Sequence, residues 1–329
     1  MEKRIWIPAL VLLLLVVGYF IGPRPNEPVY DFTLPSYTAD LSLLEKMIQE
    51  SESSLPLRED NEARIIWCDS VPRVTPISIV YLHGFAGSYR DGYPMNVNVA
   101  KALGANIYLS RWAGHGMKPQ QALENFTPEA AWRSAREALA IGNKIGDKVV
   151  LLSTSTGGTL SLFLAAHFPN KVHGMVNIGP NIEDDQFGSF LLDSPWGYEL
   201  AHLVSLGEHR KIQHESDLAY QYWDSIYPAE ALINLELLVH SMMTDSTFAQ
   251  VKCPVLTMYY HKNFLKEDEH VEVSVYDRVY EKFSTPDSLL KLKPLDRPNT
   301  HFVGSDIKSE DYKTAQKIAV EFIESTIVN

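Results

Sequence analysis

The chain of 329 residues is 45% hydrophobic and 21% charged, a composition that excludes a disordered protein and is enough for a large folded core. Its formal net charge of −12 excludes a broad surface for nucleic acid, because phosphate binding needs clustered lysine and arginine. The two cysteines, Cys68 and Cys253, form no CxxC motif and have no zinc-ligand spacing, so neither a disulfide framework nor a structural metal is expected. We predict two thiols buried in separate strands, and the sequence leaves one disulfide between them open.

The first segment is strongly apolar. After two basic residues, the run Ile5–Ile21 carries no charge, and as a helix it would extend about 26 Å at roughly 1.5 Å per residue. Because the run is long for a signal peptide and Pro23 and Pro25 occupy the expected cleavage region, residues 1–22 are predicted to be an uncleaved membrane anchor. The positive-inside rule then places the rest of the chain on the non-cytoplasmic side, periplasmic or extracellular. Secretion after signal cleavage is the alternative.

Residues 23–60 are predicted to be a proline-rich tether followed by a short helix. Four prolines fall between residues 22 and 36, a density that disfavours helix and suits an extended segment. The segment Asp40–Glu50 has Leu41, Leu44 and Ile48 at helical spacing behind a capping aspartate. This pattern indicates an amphipathic helix that packs on the core.

From about residue 63, short apolar runs alternate with longer helical ones, as in a parallel sheet with crossover helices. The strands predicted are Ile65–Cys68, Ile77–Leu82, Asn106–Leu109, Val149–Leu152, Val172–Ile178, Val255–Tyr259 and Leu289–Leu292. The clearest helix begins after Thr127 and ends before Gly142, and another closes the chain. The predicted fold class is α/β, with a mostly parallel central sheet and helices on both faces, formed by residues 61–180 and 251–329.

About 70 residues between these two parts, 181–250, lack the strand–helix rhythm and are too many for a plain loop. They are predicted to be an inserted, mainly helical cap. Its aromatic side chains would either line a substrate pocket or form the cap's own small core: Phe187, Phe190, Trp196, Tyr198, Tyr220, Tyr222, Trp223 and Tyr227.

The first candidate for chemistry is Ser155. The strand KVVLL runs into STSTGG, residues 153–158, and then into a helical stretch. In a nucleophile elbow the flanking positions must be small, and here Ser153 stands where glycine is usual while Gly157 lies on the far side. At the helix start, the N–H of Thr156 would point at a developing oxyanion. An ordinary N-cap and turn would use the same residue types.

A second turn supports this interpretation. The strand Ile77–Leu82 ends in HGFAGS, residues 83–88, whose glycines let the backbone approach a ligand closely. Together with WAGHG at 112–116, the STSTGG turn and CPVLTMYY at 253–260, this turn resembles the α/β-hydrolase superfamily over roughly residues 63–325. The most similar branch is that of monoacylglycerol lipases, serine aminopeptidases and related esterases. The resemblance implies oxyanion donors at the N–H groups of Phe85 and Thr156, and structural roles for His83 and His115.

A serine nucleophile needs an imidazole base and an acid that orients it. The superfamily order is serine, then acid, then histidine, and His301 follows the last predicted strand, in PNTHF rather than the more usual Gly-His setting. For the acid, a gapless comparison with the family reaches Asn263, which carries no charge. Asp268, five residues later, resembles the family's acid, and Glu267 is the reserve.

The sequence therefore predicts a serine hydrolase that cleaves carboxylic esters with an apolar acyl chain, as a carboxylesterase or a monoacylglycerol lipase-like enzyme. Its site would be Ser155, His301 and Asp268, with no cofactor and no metal. His261 and His270 lie near carboxylates but have no strong ligand spacing. Two alternatives stay open: a peptidase or amidase of the serine aminopeptidase type, which an acidic pocket for a substrate amine would favour, and a catalytically inactive hydrolase-like binding module.

Overall fold

A computed structural model of the chain describes residues 3–183 and 191–328, with side chains of the first helix from residue 9 onward. The helices in these ranges are α1 (Lys3–Phe20), α2 (Leu41–Ser53), α3 (Met95–Ala102), α4 (Pro128–Ile145), α5 (Thr156–His167), α6 (Gly197–Val204), α7 (Asp217–Tyr222), α8 (Glu230–Met242), α9 (Asp245–Phe248), α10 (Val275–Tyr280) and α11 (Tyr312–Ile323). The strands are β1 (Arg64–Ile66), β2 (Thr75–Leu82), β3 (Asn106–Leu109), β4 (Gly146–Thr154), β5 (Gly174–Ile178), β6 (His209–Lys211), β7 (Ile226–Pro228), β8 (Val255–Asn263), β9 (Lys266–Glu267) and β10 (Leu290–Leu295).

The main sheet of the described residues has eight strands, in the order β1-β3-β2-β4-β5-β8-β10 with β9 paired to β8. The strands from β3 to β10 along this path pair in parallel, whereas β1 and β9 pair antiparallel with their neighbours. The central strand β4 is buried from Val149 to Thr154, as expected where helices cover both faces of a sheet. The predicted α/β class with a mostly parallel sheet is confirmed.

The hydrophobic core lies on both faces of this sheet. Alternate residues of β2 point to opposite faces, so Val80 and Leu82 join one cluster while Ile79 and Tyr81 join the other. The first cluster includes buried side chains of α4 and α5, and the second includes those of α3 and α11. The carboxyl ends of the central strands therefore form an edge supported from two sides.

Two predictions were wrong: the position at which a helix ends, and the location of the cysteines within strands. The helix capped by the Thr127 hydroxyl continues past Gly142 to Ile145. A Cβ on Gly142 would lie 2.4 Å from a Val80 methyl group, so this glycine allows the helix to approach the sheet and does not end it. The two cysteines are free, but Cys68 is exposed just beyond β1 and half-buried Cys253 precedes β8, so neither thiol lies within a strand.

The N-terminal region contains α1 and an extended segment. The side chains of α1 from Leu10 to Phe20 are largely exposed. Residues 23–38 form neither helix nor strand, and they contact the core: the Trp132 indole N–H donates to the Asp31 carbonyl at 2.7 Å. In the part of the chain that is described, no helix has both the length and the apolar character needed to cross a membrane.

The segment between β5 and β8 contains α6 to α9 and a small two-stranded antiparallel sheet of β6 and β7. Of the eight aromatic residues predicted there, Phe187 and Phe190 lie outside the described residues. Tyr222, Trp223 and Tyr227 are buried, whereas the other three are exposed, with Trp196 39% exposed. The assignment of residues 181–250 to a separate cap stays a prediction.

Candidate active site

Ser155 occupies a sharp turn between β4 and α5. Its backbone has φ 55° and ψ −125°, a region that residues other than glycine rarely adopt. The Ser155 N–H donates to the Ile178 carbonyl at 2.9 Å, and the Ser155 carbonyl accepts from the Gly158 N–H at 2.7 Å. These bonds hold the strained turn between two central strands and the first turn of α5. The structure therefore places Ser155 as the sequence predicts for a nucleophile elbow.

The residues that flank Ser155 show why small side chains are required. A Cβ on Gly157 would lie 2.1 Å from the Leu82 carbonyl oxygen, and one on Gly158 would lie 2.4 Å from Pro180. Ser153 fits where glycine is usual because its hydroxyl is fully buried and donates to Asn177 Oδ1 at 2.7 Å. The hydroxyl is thus satisfied by the neighbouring strand, and the departure from the G-x-S-x-G pattern has a structural reason.

The HGFAGS turn lies beside the elbow and is fixed on both sides of Phe85. The Gly84 N–H donates to Asp91 Oδ2 at 2.6 Å, and the Ala86 N–H donates to His115 Nε2 at 3.0 Å. Phe85, Thr156 and Ser155 all border one cavity. The two N–H groups proposed as oxyanion donors make no hydrogen bond to other described residues.

His83 and His115 hold this region as neutral groups. His83 Nε2 accepts from the Trp112 N–H at 3.3 Å, and its ring stacks on Trp112 with 4.6 Å between centroids. Complete burial lowers the pKa of His83 to about 4 and that of His115 well below its ordinary value. Both rings therefore serve as structural hydrogen-bonding groups of their loops, as the resemblance implies.

His301 and Asp268 meet at the carboxyl edge of the sheet. The Nδ1 of His301 lies 2.6 Å from Asp268 Oδ2, and both side chains are almost fully buried. The other carboxylate oxygen accepts the N–H groups of His270 at 3.0 Å and Val271 at 3.3 Å. Burial by itself would raise the pKa of Asp268, but the charge and hydrogen bond of His301 and the His270 N–H bring it below its ordinary value. The carboxylate therefore stays ionised and orients the imidazole.

The second ring nitrogen of His301, Nε2, is the candidate proton acceptor. With Nδ1 bound to Asp268, the Nε2 of His301 has no hydrogen-bond partner among the described residues. His301 and Ser155 border the same cavity. This arrangement suits a base that takes the serine proton when substrate closes the geometry.

The structure separates Asp268 from the other acid candidates. The five residues inserted before it form a hairpin in which β8 continues to Asn263 and β9 returns along it. Asn263 is exposed on this hairpin, and Glu267 pairs with His261 at 2.9 Å on the same strands. The chain then re-enters the core, where the Asp268 N–H donates to the Tyr260 carbonyl at 3.1 Å. Asp268 is the carboxylate brought to His301.

Sequence reasoning missed three residues at this site. Gly179, with φ +47°, faces the acid–base pair so closely that a Cβ would lie 3.0 Å from His301 Nδ1 and 3.1 Å from Asp268 Oδ2. Asp91 and Asp224 are buried carboxylates, and burial raises the pKa of each to about 7. The Ser88-x-x-Asp91 spacing of a capping box was the available signal for one of them.

The cavity has a volume of about 450 Å³. Its lining combines the residues of the site with side chains of the segment between β5 and β8; the apolar ones include Leu192, Val204, Ile212, Leu232 and Leu235. Of the aromatic residues predicted to line it, Trp223 and Tyr227 do so. In residues 3–183 and 191–328, no group of three or more His, Cys, Asp or Glu side chains is arranged to hold a metal ion.

Comparison with known proteins agrees with the observed fold. Residues 77–267 match the model of the alpha/beta hydrolase fold. A thermostable monoacylglycerol lipase from Bacillus sp. (strain H-257) is 27% identical over 197 residues, which are 60% of this chain and 72% of that protein.

Solved structures show the same fold at lower identity. One described with LipS and LipT, two metagenome-derived lipolytic enzymes, has a TM-score of 0.64 at 18% identity and covers 82% of this chain and 99% of its own. The monoacylglycerol lipase of Paleococcus ferrophilus has a TM-score of 0.54 at 12% identity, over 79% of this chain and 98% of its own. With a family model matched over more than half of its length, the chain belongs to the α/β-hydrolase fold family.

Proposed function

We propose that the protein is a serine hydrolase that cleaves carboxylic esters with an apolar acyl chain. The observation that carries the proposal is that the strained Ser155 and His301 border one cavity, while Asp268 is bound to Nδ1 of His301 and the Nε2 has no hydrogen-bond partner among the described residues. A buried carboxylate–imidazole pair beside an elbow serine is the arrangement that activates a hydroxyl at neutral pH.

The reaction proceeds in two acyl transfers. Ser155 Oγ attacks the ester carbonyl carbon while His301 Nε2 takes the hydroxyl proton, and the N–H groups of Phe85 and Thr156 stabilise the oxyanion. The imidazolium, held by Asp268, returns that proton to the departing alcohol as the C–O bond breaks, which leaves an acyl-serine. Water then attacks the acyl-serine while His301 Nε2 takes its proton, and that proton passes to Ser155 Oγ as the acyl C–O bond breaks, which releases the carboxylic acid and the free serine.

The cavity supports an apolar acyl chain over a short or charged one. One wall carries aliphatic side chains together with Phe85 and Tyr227, whose rings pack edge to face at 5.5 Å. Burial of methylene groups against such a wall stabilises binding by about 0.8 kcal/mol per group. Relatives named as monoacylglycerol lipases and lipolytic enzymes favour the same class of substrate.

The peptidase alternative is less favoured. A substrate amine needs an unpaired carboxylate, but two carboxylates that border the cavity are already ion-paired: Asp224 lies 2.7 Å from Arg58 Nη1, and Glu215 pairs with Lys308. We therefore propose esters, rather than amides, as the substrates. For an inactive binding module, no observation of the site gives support.

The test is hydrolysis by the purified full-length protein in mild detergent. p-Nitrophenyl esters from acetate to dodecanoate are compared with aminoacyl p-nitroanilides. We expect ester hydrolysis with kcat/KM rising by tenfold or more from acetate to octanoate, and little or no anilide hydrolysis. Faster cleavage of the anilides would move the assignment to a peptidase, and no turnover of either set would support the binding module.

We also propose that residues 1–22 attach the protein to a membrane, with the catalytic part on the non-cytoplasmic side. The uncharged run Ile5–Ile21 behind two basic residues supports this placement, as do the exposed side chains of α1, among them Leu12 at 63% and Phe20 at 64%. Cell fractionation with and without residues 1–22 is the test. Release of the full-length protein by alkaline carbonate would contradict the anchor, and an N-terminus beginning after residue 22 would establish cleavage and secretion.

A further inference from the structure

We propose that Asp91 is a positioning residue of the oxyanion hole: its carboxylate holds the HGFAGS turn so that the N–H of Phe85 points at the developing oxyanion. The inference rests on the proposed ester hydrolysis, and it assigns to that reaction a residue that is none of the three proposed catalytic side chains. In this role Asp91 acts through the backbone of Gly84 and not on the substrate itself.

The first argument is an account of the backbone N–H groups in the turn. Four of the five N–H groups from residue 84 to residue 88 are bound: Gly84 to Asp91 Oδ2 at 2.6 Å, Ser88 to Asp91 Oδ1 at 3.4 Å, Ala86 to His115 Nε2 at 3.0 Å, and Gly87 to the Gly84 carbonyl at 3.3 Å. The Phe85 N–H has no partner among the described residues. Asp91 binds the first and the last of the five groups, so its carboxylate closes the turn around the free donor.

The second argument is how the turn directs this free donor. The peptide bond between Gly84 and Phe85 is planar and trans, so the Phe85 N–H points opposite to the Gly84 carbonyl. That carbonyl accepts the Nδ1–H of His83 at 2.8 Å, and the N–H of the same glycine donates to Asp91. Because both backbone polar groups of Gly84 are bound, the Phe85 N–H keeps one direction beside the cavity that Phe85 and Ser155 border.

The third argument is the fit of the carboxylate between the turn and the nucleophile. A Cβ on Gly84 would lie 3.0 Å from Asp91 Oδ2 and 3.0 Å from the Cβ of Ser155. A Cβ on Gly87 would lie 2.4 Å from Asp91 Oδ2. Both glycines therefore let the backbone close around the carboxylate. A displaced carboxylate would move Gly84, which lies against Ser155.

The fourth argument is the cost of burying this carboxyl group. Ser88 and Asp91 form a capping box at the short 3-10 helix Tyr89–Asp91, but an uncharged glutamine can serve such a box as well. Asp91 is fully buried, and burial raises its pKa to about 7. Carboxyl groups perturbed in this way concentrate at functional sites. The position of Asp91 beneath the proposed oxyanion donor therefore favours a role in the reaction over a purely structural cap.

The experiment compares Asp91→Ala and Asp91→Asn with the wild-type full-length protein on p-nitrophenyl octanoate at about pH 8. Alanine removes the acceptor of the Gly84 N–H, whereas asparagine keeps one. We expect kcat of Asp91→Ala to fall roughly 100-fold while KM changes by less than about twofold, as for a lost oxyanion donor. Asp91→Asn should stay within about fivefold of wild type, because the bond to Gly84 is retained.

Inhibition by 1-octaneboronic acid separates positioning from folding. The boronic acid forms a tetrahedral adduct with the Ser155 hydroxyl, and an oxygen of that adduct occupies the oxyanion hole. Its Ki should therefore rise in Asp91→Ala by a factor similar to the fall in kcat. A smaller folded fraction would lower kcat and leave Ki unchanged.

Asp40→Ala is the matched control. Asp40 also accepts two backbone N–H groups, those of Ser42 and Leu43 at 3.0 Å each, but it lies at the start of α2 and does not border the cavity. This variant should leave kcat and Ki unchanged. If Asp91→Ala does not fold by circular dichroism, Gly87→Ala replaces it, since the added Cβ displaces the same carboxylate and should shift kcat and Ki together.

Three results would overturn the positioning role of Asp91. These are wild-type kcat and Ki in the variant that removes or displaces the carboxylate, a fall in kcat with an unchanged Ki, and an asparagine variant as impaired as the alanine variant. Failure of the wild-type protein to hydrolyse the ester would instead reject the proposed function.

Discussion

Ser155 and His301 border one cavity, but different constraints fix the turn at Ser155 and the pair of His301 with Asp268. The turn at Ser155 is set by its immediate neighbours, where Gly157 and Gly158 leave room for the end of β2 and for Pro180. Asp268 and His301 are 33 positions apart and meet because β8 and β10 pair in parallel and deliver both loops to the same edge. A local turn can therefore be predicted from a short sequence motif. A pair of residues that the sheet brings together can be predicted only from their order along the chain, because their spacing is not fixed.

The largest effect on activity is expected from loss of the serine or of the histidine, between which the proposed mechanism transfers a proton. Ser155→Ala and His301→Ala should each lower kcat for ester hydrolysis by roughly 10⁴-fold or more, because either change removes acyl transfer itself. Initial rates on p-nitrophenyl octanoate give the measurement, with circular dichroism as the check on folding. The double variant should be no worse than the single ones, and additive losses would show that the residues act independently.

The next effect tests which carboxylate completes the pair. Asp268→Asn should lower kcat by roughly 10³–10⁴-fold, because the amide no longer holds the correct imidazole tautomer or stabilises the imidazolium. Glu267→Gln is the matched control on the adjacent residue, and it should change kcat by less than about twofold, since Glu267 pairs with His261 on the hairpin. If Glu267→Gln lowered kcat strongly and Asp268→Asn did not, Glu267 would be the acid.

One added methyl group in the turn at Ser155 is expected to destabilise the folded protein. Gly157→Ala places a Cβ 2.1 Å from the Leu82 carbonyl oxygen, a backbone atom that cannot move freely, so we expect a loss of roughly 3 kcal/mol in the free energy of unfolding. Gly104→Ala is the control, because that glycine has φ +60° and open space around it. It should cost about 1 kcal/mol from backbone strain alone. Equal losses in urea denaturation would show that the elbow is not tightly packed.

A smaller effect concerns Asp91 beneath the HGFAGS turn. Burial raises its pKa to about 7, so between pH 4 and 7 the folded protein binds a proton at this carboxyl that the unfolded chain releases. The contribution to stability is therefore present at low pH and lost as the pH rises. Asp91→Asn removes this dependence and keeps an acceptor for the Gly84 N–H. From pH 5 to pH 7, the variant should gain about 2 kcal/mol relative to wild type in urea denaturation, and parallel pH profiles would contradict the assignment.

Much of the fold was predictable because its signals are periodic. Strands buried on both faces read as short apolar runs, and Thr127 followed by Pro128 marks a helix start that the structure confirms. The elbow was predictable for a similar reason, since few residues fit between β4 and α5. Even the replacement of glycine by Ser153 follows from a bond to Asn177, although its partner lies on another strand and is invisible in the motif.

The remainder depends on contacts between distant segments. The hairpin that displaces Asp268 from the family position is formed by the pairing of β8 with β9, which the charged residues around Lys266 did not indicate. The cavity wall was predicted as a set of aromatics, but burial of Trp223 and exposure of Trp196 depend on how the segment packs against the loops of the sheet. The ion pair of Asp224 with Arg58 joins residues 166 positions apart and has no sequence signal at all.

The central claim, that Ser155 is a nucleophile activated by His301 and Asp268, is tested most directly by fluorophosphonate labelling of the purified full-length protein followed by peptide mass spectrometry. We expect one adduct, on Ser155, with the rate of labelling strongly reduced in His301→Ala and in Asp268→Asn. Absence of the adduct in the folded wild-type protein, or an adduct on another serine such as Ser153, would contradict the account.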